Sequence, residues 1–359
     1  MTGLGFDIEI TNRCNAHCSF CPRDATPHQG LMSEETFDKS VERAIEYRDR
    51  CIELFGWTRV GTVDLCGLGE PLLHKQAPKF VRQVRDAGFD CQMNSNGALL
   101  DERRGDALLE AGLERVLLNV GDIGEEYEKI YELPFEKTRA NVVRFAQDAH
   151  DADDACEVQI VLVDHHEDPD HLERMKTYWR DQGVDNFRVI GLMNRGGALY
   201  VDHMQYEQYP ELEEATRLLD ERPSKPQCVA PFVFLFVGYD GQYYLCCSDW
   251  RKEAPLGSVF EKSFVDVLEE KVRLVTTREK VCRTCNTDPA NEITDLLRAV
   301  AAGKISSQRV IEAVDHLDNV WNLFVADRLE HLSPGCTTVD ASAFEASNAG
   351  RRLIPVESN

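Results

Sequence analysis

The stretch FDIEITNRCNAHCSFC, residues 6–21, runs from an alternating β-branched segment straight into three cysteines spaced C-x3-C-x2-C. The run at 6–11 reads as a strand, and a strand that empties into a ligand-bearing loop suits α/β folds, whose chemistry gathers at the carboxyl ends of the strands. Thiolates are soft donors fit for iron–sulfur clusters, zinc or copper(I). Structural zinc takes four protein ligands, and His17 is the one nearby side chain that could supply a fourth. A four-iron cluster held by three cysteines instead leaves one iron open for a small molecule.

Outward from this stretch, five more strand-like runs follow: GTVDLCG (61–67), FDCQMNSNG (89–97), ERVLLNVG (114–121), EVQIVLVD (157–164) and NFRVIGL (186–192). Amphipathic helical stretches separate them. Ser33 with Glu35 and Thr36 marks a helix entrance, and Gly88 closes the stretch APKFVRQVRDAG. Strand and helix alternating six times predict a parallel sheet with right-handed crossovers: a barrel, a partial barrel or a doubly wound sheet. Residues 201–227 are polar with three prolines and read as a connecting segment. FVFLFVGYDGQYYLCCSD reads as a hairpin turning at Asp240-Gly241, and 291–331 is helical by pattern, broken at Gly303 with Ser306 and Ser307 placed to cap the next helix. The expected organisation is 1–200, 201–227, 228–290 and 291–359.

The chain has 359 residues, enough for one large and one smaller domain. A net charge of −23 repels a phosphate backbone, and no basic stripe offsets it, which argues against nucleic acid and mildly favours a cationic substrate. The densest acidic run, DAHDADDAC, reads as a solvated loop. No window approaches the roughly 18 apolar residues of a membrane span, and no targeting segment is apparent, so a cytoplasmic protein is expected. Thirteen cysteines in such a chain point to metal or redox chemistry rather than a disulfide framework.

Those cysteines fall into two groups. Downstream of the first, Cys228 and Cys246 are followed, after a gap of 35 residues, by the C-x2-C pair Cys282 and Cys285. Spacing alone leaves zinc and a second four-iron cluster equally open there. Cys51, Cys66, Cys91, Cys156 and Cys336 are most simply small apolar residues in or near the core.

The segment CNAHCSFC resembles the radical S-adenosylmethionine (SAM) motif, with Phe20 as its aromatic position. The resemblance implies a partial (β/α)6 TIM-like barrel, a [4Fe-4S] cluster on Cys14, Cys18 and Cys21, and SAM on the open iron. CGLGEP (66–71) resembles the family's GGEP segment, with Leu68 where glycine is usual; this leaves Gly67, Gly69 and Glu70 for SAM. SNG (Ser95, Asn96, Gly97) resembles the TNG after the third strand, and Asn119 falls where a polar residue meets SAM. The second group resembles the twitch form of the SPASM domain, a small C-terminal α+β unit. That likeness implies one auxiliary [4Fe-4S] cluster on Cys228, Cys246, Cys282 and Cys285, and a reducing partner such as flavodoxin or ferredoxin.

A fully ligated auxiliary cluster binds no substrate, which points to electron transfer and oxidation. The twitch spacing most resembles aminocyclitol and aminosugar dehydrogenases of antibiotic pathways, so dehydrogenation of a secondary alcohol on a small cationic substrate is expected. Arg188 and Arg195 are candidates for orienting or deprotonating the alcohol. Cys247 reads as a spare thiol, an alternative ligand or a hydrogen-atom donor; the last would make the enzyme an epimerase. Thioether or carbon–carbon crosslinking of a ribosomal peptide is a further alternative, and a zinc-stabilised binding protein is the non-enzymatic one.

Overall fold

The structure, a computed structural model, describes residues 4–334 apart from 27, 57–60, 153–155, 165–167, 195, 197–205, 253–254 and 279. Each of the six strand-like runs forms a strand: β1 (Gly5–Ile8), β2 (Thr62–Leu65), β3 (Asp90–Ser95), β4 (Arg115–Asn119), β5 (Glu157–Asp164) and β6 (Phe187–Gly191). Between them lie α1 (Glu34–Phe55), α2 (Ala77–Asp86), α3 (Glu102–Ala111), α4 (Gly124–Tyr131), α5 (Phe135–Asp151) and α6 (His171–Asp181). All neighbouring pairs from β1 to β6 are parallel, in sequence order, as in a partial (β/α)6 barrel.

Local chemistry explains the helix ends. Ser33 caps α1 by accepting from Thr36 N–H, and Gly56, at φ 62°, closes it in the left-handed conformation that glycine takes without strain. Gly88 follows α2 at φ 77°. The acidic tract is not wholly a loop: α5 runs on through Asp151, because burial of Val142, Phe145 and Ala149 on one face outweighs the weak helix propensity of its aspartates.

Period-two alternation splits each strand between two environments. Phe6, Ile8, Val63, Leu65, Cys91, Met93, Val116 and Leu118 are fully buried on the helix side. Phe6 lies edge-on or tilted to Tyr47, Phe89 and Phe264 at centroid separations of 6.0, 5.6 and 5.2 Å. The opposite face carries Asp7, Asp64, Gln92, Arg115 and Glu157, brought side by side by the register Asp7↔Asp64↔Gln92↔Arg115↔Glu157.

The hairpin extends the sheet. β7 (Phe234–Val237), preceded by the short α8 (Ala230–Val233), runs parallel to β1, while β8 (Gln242–Tyr243) and β9 (Gly257–Ser258) continue antiparallel. Gly241, at φ 74°, makes the turn.

The described chain divides into two units, Met1–Val201 with Val233–Val267, and Asp202–Phe232 with Leu268–Asn359. The second holds α7 (Glu211–Asp220), α9 (Leu268–Thr276), α10 (Pro289–Ala301), α11 (Gln308–Trp321) and α12 (Asp327–Leu332). Ala215 and Leu219 of α7, Ala290 and Ile293 of α10, and Val310 and Val314 of α11 form one buried cluster there. Gly303 breaks the chain at φ 70° between α10 and α11. Ser307 precedes α11, but its side chain makes no capping bond. No helix is long and apolar enough to cross a membrane.

Because Phe6 anchors a fully buried aromatic group, Phe6→Ala should cost about 3–5 kcal/mol in urea unfolding of the whole chain, with Phe6→Leu losing visibly less. Equal midpoints for native and Phe6→Ala protein would contradict this packing.

Candidate active site

The first cysteine group occupies the loop after β1. Backbone bonds pin that loop to the end of α4, His17 N–H to Tyr131 O at 3.2 Å and Ser19 N–H to Ile130 O at 3.0 Å. Phe20 stands edge-on to the Tyr131 ring, which stacks on Tyr127. Asn12 fixes the other side: its amide donates to His28 O at 2.7 Å and accepts from Gly30 N–H at 2.8 Å. His17 is drawn away from the thiols, 2.9 Å from Asp24 and 3.3 Å from Arg23. Burial pushes the metal-free Cys14 thiol up to about 11 and that of Cys18 up to about 12, so a metal must displace protons to bind.

The loop after β2 is built around Glu70, which is 1% exposed. Its backbone N–H donates to Arg13 O at 2.8 Å, and its carboxylate accepts from Leu72 N–H, Ser95 Oγ and Asn96 N–H at 3.0, 2.9 and 2.8 Å. Glu70 thus ties the loops after β1, β2 and β3 together, and those donors occupy both of its oxygens. Burial raises its carboxyl above the usual range despite these bonds. A side chain at Gly69 would come within 2.1 Å of Thr11 O and 2.7 Å of Arg13 O, so only glycine lets the loop lie against the cysteine segment. Gly67, at φ 151°, lies against Glu9 in the same way. Asn96 reaches Asn15 Oδ1 at 3.0 Å and Cys14 Sγ at 3.7 Å. Asn119 sits at the carboxyl end of β4, in register with Val161 and Arg188.

Beneath these loops the inward strand faces are polar. Gln92 donates to Asp64 at 2.6 Å, Asn94 to the same carboxylate at 3.0 and 2.9 Å, and Arg115 links Gln92 to Glu157. Asp7, Asp64 and Cys66 bring their donor atoms within 4.8 Å of one another. Burial holds Asp64 above the usual carboxylate range, opposed by bonds from Gln92, Asn94 and Cys66 and by the charge of Arg188. Strand register sets Arg188, an exposed residue, in the row of Asn119 and Val161. Arg195 lies outside the described residues. Cys51, Cys91 and Cys156 are buried in the core as expected, and Cys336 lies outside the described residues. Cys66 departs from that expectation: it is not a core residue but part of this polar group, where burial and then Asp64 and Asp7 hold its thiol well above the ordinary value. Cys247 is within electrostatic range of it.

In the second unit, burial and then the nearby Cys285 and Cys282 push the Cys228 thiol well above its ordinary value. The C-x2-C turn is clamped by Asn291, whose amide donates to Cys282 O at 3.3 Å, Arg283 O at 3.0 Å and Cys285 O at 2.9 Å. Asp288 caps α10 just before it and pairs with Arg278 at 3.0 Å. Asn291, fully buried, was not singled out from the sequence; its position six residues after Cys285 gives no local signal. Cys246 lies in the first unit, at the turn after β8.

The radical SAM superfamily model matches residues 8–177, and that of an iron-sulfur cluster-binding domain, SPASM, matches 228–286. Residues 8–177 thus form a radical SAM domain, and residues 228–286 a SPASM domain. The chain binds a [4Fe-4S] cluster and SAM, and its C-terminal domain takes auxiliary iron–sulfur chemistry. A "Probable GTP 3',8-cyclase" of Methanococcus maripaludis (strain C5) is 31% identical over 129 residues, 35% of this chain and 39% of that protein. A "Tungsten-containing aldehyde ferredoxin oxidoreductase cofactor-modifying protein" of Pyrococcus furiosus is 25% identical over 194 residues, 52% of this chain and 51% of the relative. The chain thus spans between about two fifths and half the length of these relatives. The solved structure of native anSMEcpe with bound AdoMet and Cp18Cys peptide superposes with a TM-score of 0.55 at 15% identity, covering 87% of this chain and 99% of the other, a likeness of fold.

Asn291→Ala strips three carbonyls of their buried donor, so the purified radical SAM protein should lose up to roughly four irons per chain while keeping those of the first cluster. Unchanged iron and sulfide content would show that the clamp is dispensable.

Proposed function

We propose that this radical SAM enzyme oxidises a secondary alcohol of a small amino-bearing polyol, of the aminocyclitol or aminosugar class, to a ketone. The observation that carries the proposal is the inward polar row Asp7, Asp64, Gln92, Arg115 and Glu157 beneath the cysteine loop. A TIM-type barrel is ordinarily filled by branched apolar side chains. Carboxylates and amides in their place suit hydroxyl and ammonium groups, which need partners when they leave water.

Cys14, Cys18 and Cys21 hold the first cluster. Gly67 and Gly69 let the loop backbone approach SAM, Asn96 and Asn119 face it, and Phe20 shields the cluster, while Glu70 and Ser95 fix the shape of that cradle. Cys228, Cys246, Cys282 and Cys285 hold the auxiliary cluster. When bound, these groups supply a 5′-deoxyadenosyl radical and an electron acceptor, so the oxidation balances as one hydrogen atom to the radical, one proton to a base and one electron to the auxiliary cluster. Asp64, with Asp7 beside it, holds the substrate ammonium. Arg188, in the strand row of Asn119, orients the alcohol, and Arg195 is a second candidate for that role. A one-electron donor such as flavodoxin or ferredoxin reduces the first cluster. Cys66 lies with Asp7 and Asp64 in the inward polar group, with Cys247 in electrostatic range, and this favours a second reading, epimerisation with a thiol as hydrogen-atom donor.

Protein carrying Cys14, Cys18 and Cys21 all as alanine, purified without oxygen, should retain about four irons and four sulfides. About one zinc and no iron would remove the internal acceptor and end the dehydrogenase proposal. For the native enzyme, amino alcohols should yield ketone and 5′-deoxyadenosine in equal amounts; deuterium incorporation from solvent without ketone would mark the epimerase instead.

Asp64 must be ionised to hold an ammonium, and its pKa lies above the usual carboxylate range. Activity on an amino substrate, as kcat/KM, should therefore fall as the pH drops through that raised value. Asp64→Asn should flatten this acid limb and raise KM by roughly tenfold, the loss of one charge-assisted bond; a limb that persists in Asp64→Asn assigns it elsewhere.

A further inference from the structure

Glu9, two residues beyond the end of β1's partner row at Asp7, is fully buried. One of its carboxylate oxygens accepts from Leu68 N–H at 3.0 Å, inside the loop that Gly67, Gly69 and Glu70 form. The other is paired with Lys252 Nζ, whose side chain is only 7% exposed. The ammonium group also lies over the rings of Phe236, Tyr239 and Tyr244, at 5.4, 5.3 and 5.1 Å from their centroids. Lys252 takes a positive φ of 52°, a conformation that a non-glycine residue holds only when its surroundings fix it. It closes a compact turn that starts at Cys246, through Asp249 N–H to Cys246 O at 3.1 Å and Lys252 N–H to Asp249 O at 3.2 Å.

We infer that Lys252 is a positioning residue that couples the Cys246–Lys252 turn to the SAM loop through Glu9. The physical basis is that a buried ion pair cannot lose one partner cheaply: either charge left alone in this enclosed site is strongly unfavourable, so the two ends move together or not at all. A shift of the turn at Cys246 is carried by Lys252 to Glu9, and by Glu9 to the Leu68 N–H. Gly67 makes the contact tight, since a side chain there would come within 2.5 Å of Glu9 Cγ. Occupancy of Cys246 by the auxiliary cluster thereby tunes the affinity for SAM, and SAM in turn tunes the cluster's hold on Cys246, as linkage requires. This coupling rests on Cys246 being an auxiliary-cluster ligand and on the loop at 67–70 lining SAM.

The test uses the reconstituted holoenzyme, with SAM affinity from equilibrium dialysis and iron content measured for each sample. Lys252→Met should weaken SAM binding by about tenfold or more, and Lys252→Arg should restore most of it; the size is that of a coupled pair. Cys246→Ala should weaken SAM binding in native protein yet add nothing in the Lys252→Met background. SAM affinity within about twofold of native in Lys252→Met, or losses that multiply in the double variant, would overturn the inference. If Lys252→Met fails to retain the first cluster, Glu9→Gln with Lys252→Met removes both charges and keeps an acceptor for Leu68 N–H. In that background Cys246→Ala should leave SAM affinity unchanged, and an undiminished loss would overturn the coupling. Iron content separates the layers: full iron in Cys246→Ala refutes its role as a ligand and with it the coupling, whereas the Lys252→Met and Lys252→Arg contrast still decides the positioning role.

Discussion

The buried carboxylate of Glu70 is the constraint on which the catalytic end of the barrel depends. Three loops that follow three different strands meet there. Glu70 accepts from the chain after β2 and twice from the chain after β3, while its own N–H reaches the chain after β1. A charged group in so enclosed a place is tolerated only because its oxygens are satisfied by fixed donors. The glycine before it is required for the same reason, since no side chain fits between the loop and the Thr11 and Arg13 carbonyls. The cysteine segment is therefore braced from one side by Glu70 and from the other by α4.

The interior of the barrel follows a different logic from its outer face. Outside, the alternate residues of β1, β2 and β4 are apolar and buried. Inside, a connected row of carboxylates, amides and one guanidinium runs across five strands, and it is satisfied largely by its own members. Such a network keeps its geometry without a ligand and presents charge to whatever enters. The same economy appears at Glu9 and Lys252, where a carboxylate is shared between a backbone donor of the SAM loop and an ammonium held among aromatic rings.

The cysteines divide by environment rather than by chemistry. Cys51, Cys91 and Cys156 are packed as small apolar side chains, and burial keeps the last two firmly protonated. Cys66 is equally protonated for an added reason, the two carboxylates beside it. Cys282 and Cys285 sit on a turn whose carbonyls are gathered by a single asparagine amide. A thiol's availability to metal or radical is set by these neighbours, which are drawn from distant parts of the chain.

The sequence by itself determined the six-fold strand–helix alternation, the helix entrance at Ser33 and the stop at Gly88, and the placement of the cysteine, GLGE and SNG segments just beyond successive strands. These are local properties: hydrophobic period, capping chemistry and turn residues act over a few positions. The radical SAM domain was legible for the same reason, because the motif's spacing is contiguous. Only the tertiary structure decided that Glu70 bridges three loops, that Cys66 is an inward polar residue rather than part of the core, that Asn291 clamps the C-x2-C turn, and that Lys252 reaches Glu9. Each of those pairs groups far apart in sequence, and a pairing of that kind is set by strand register and sheet curvature, which no short segment encodes.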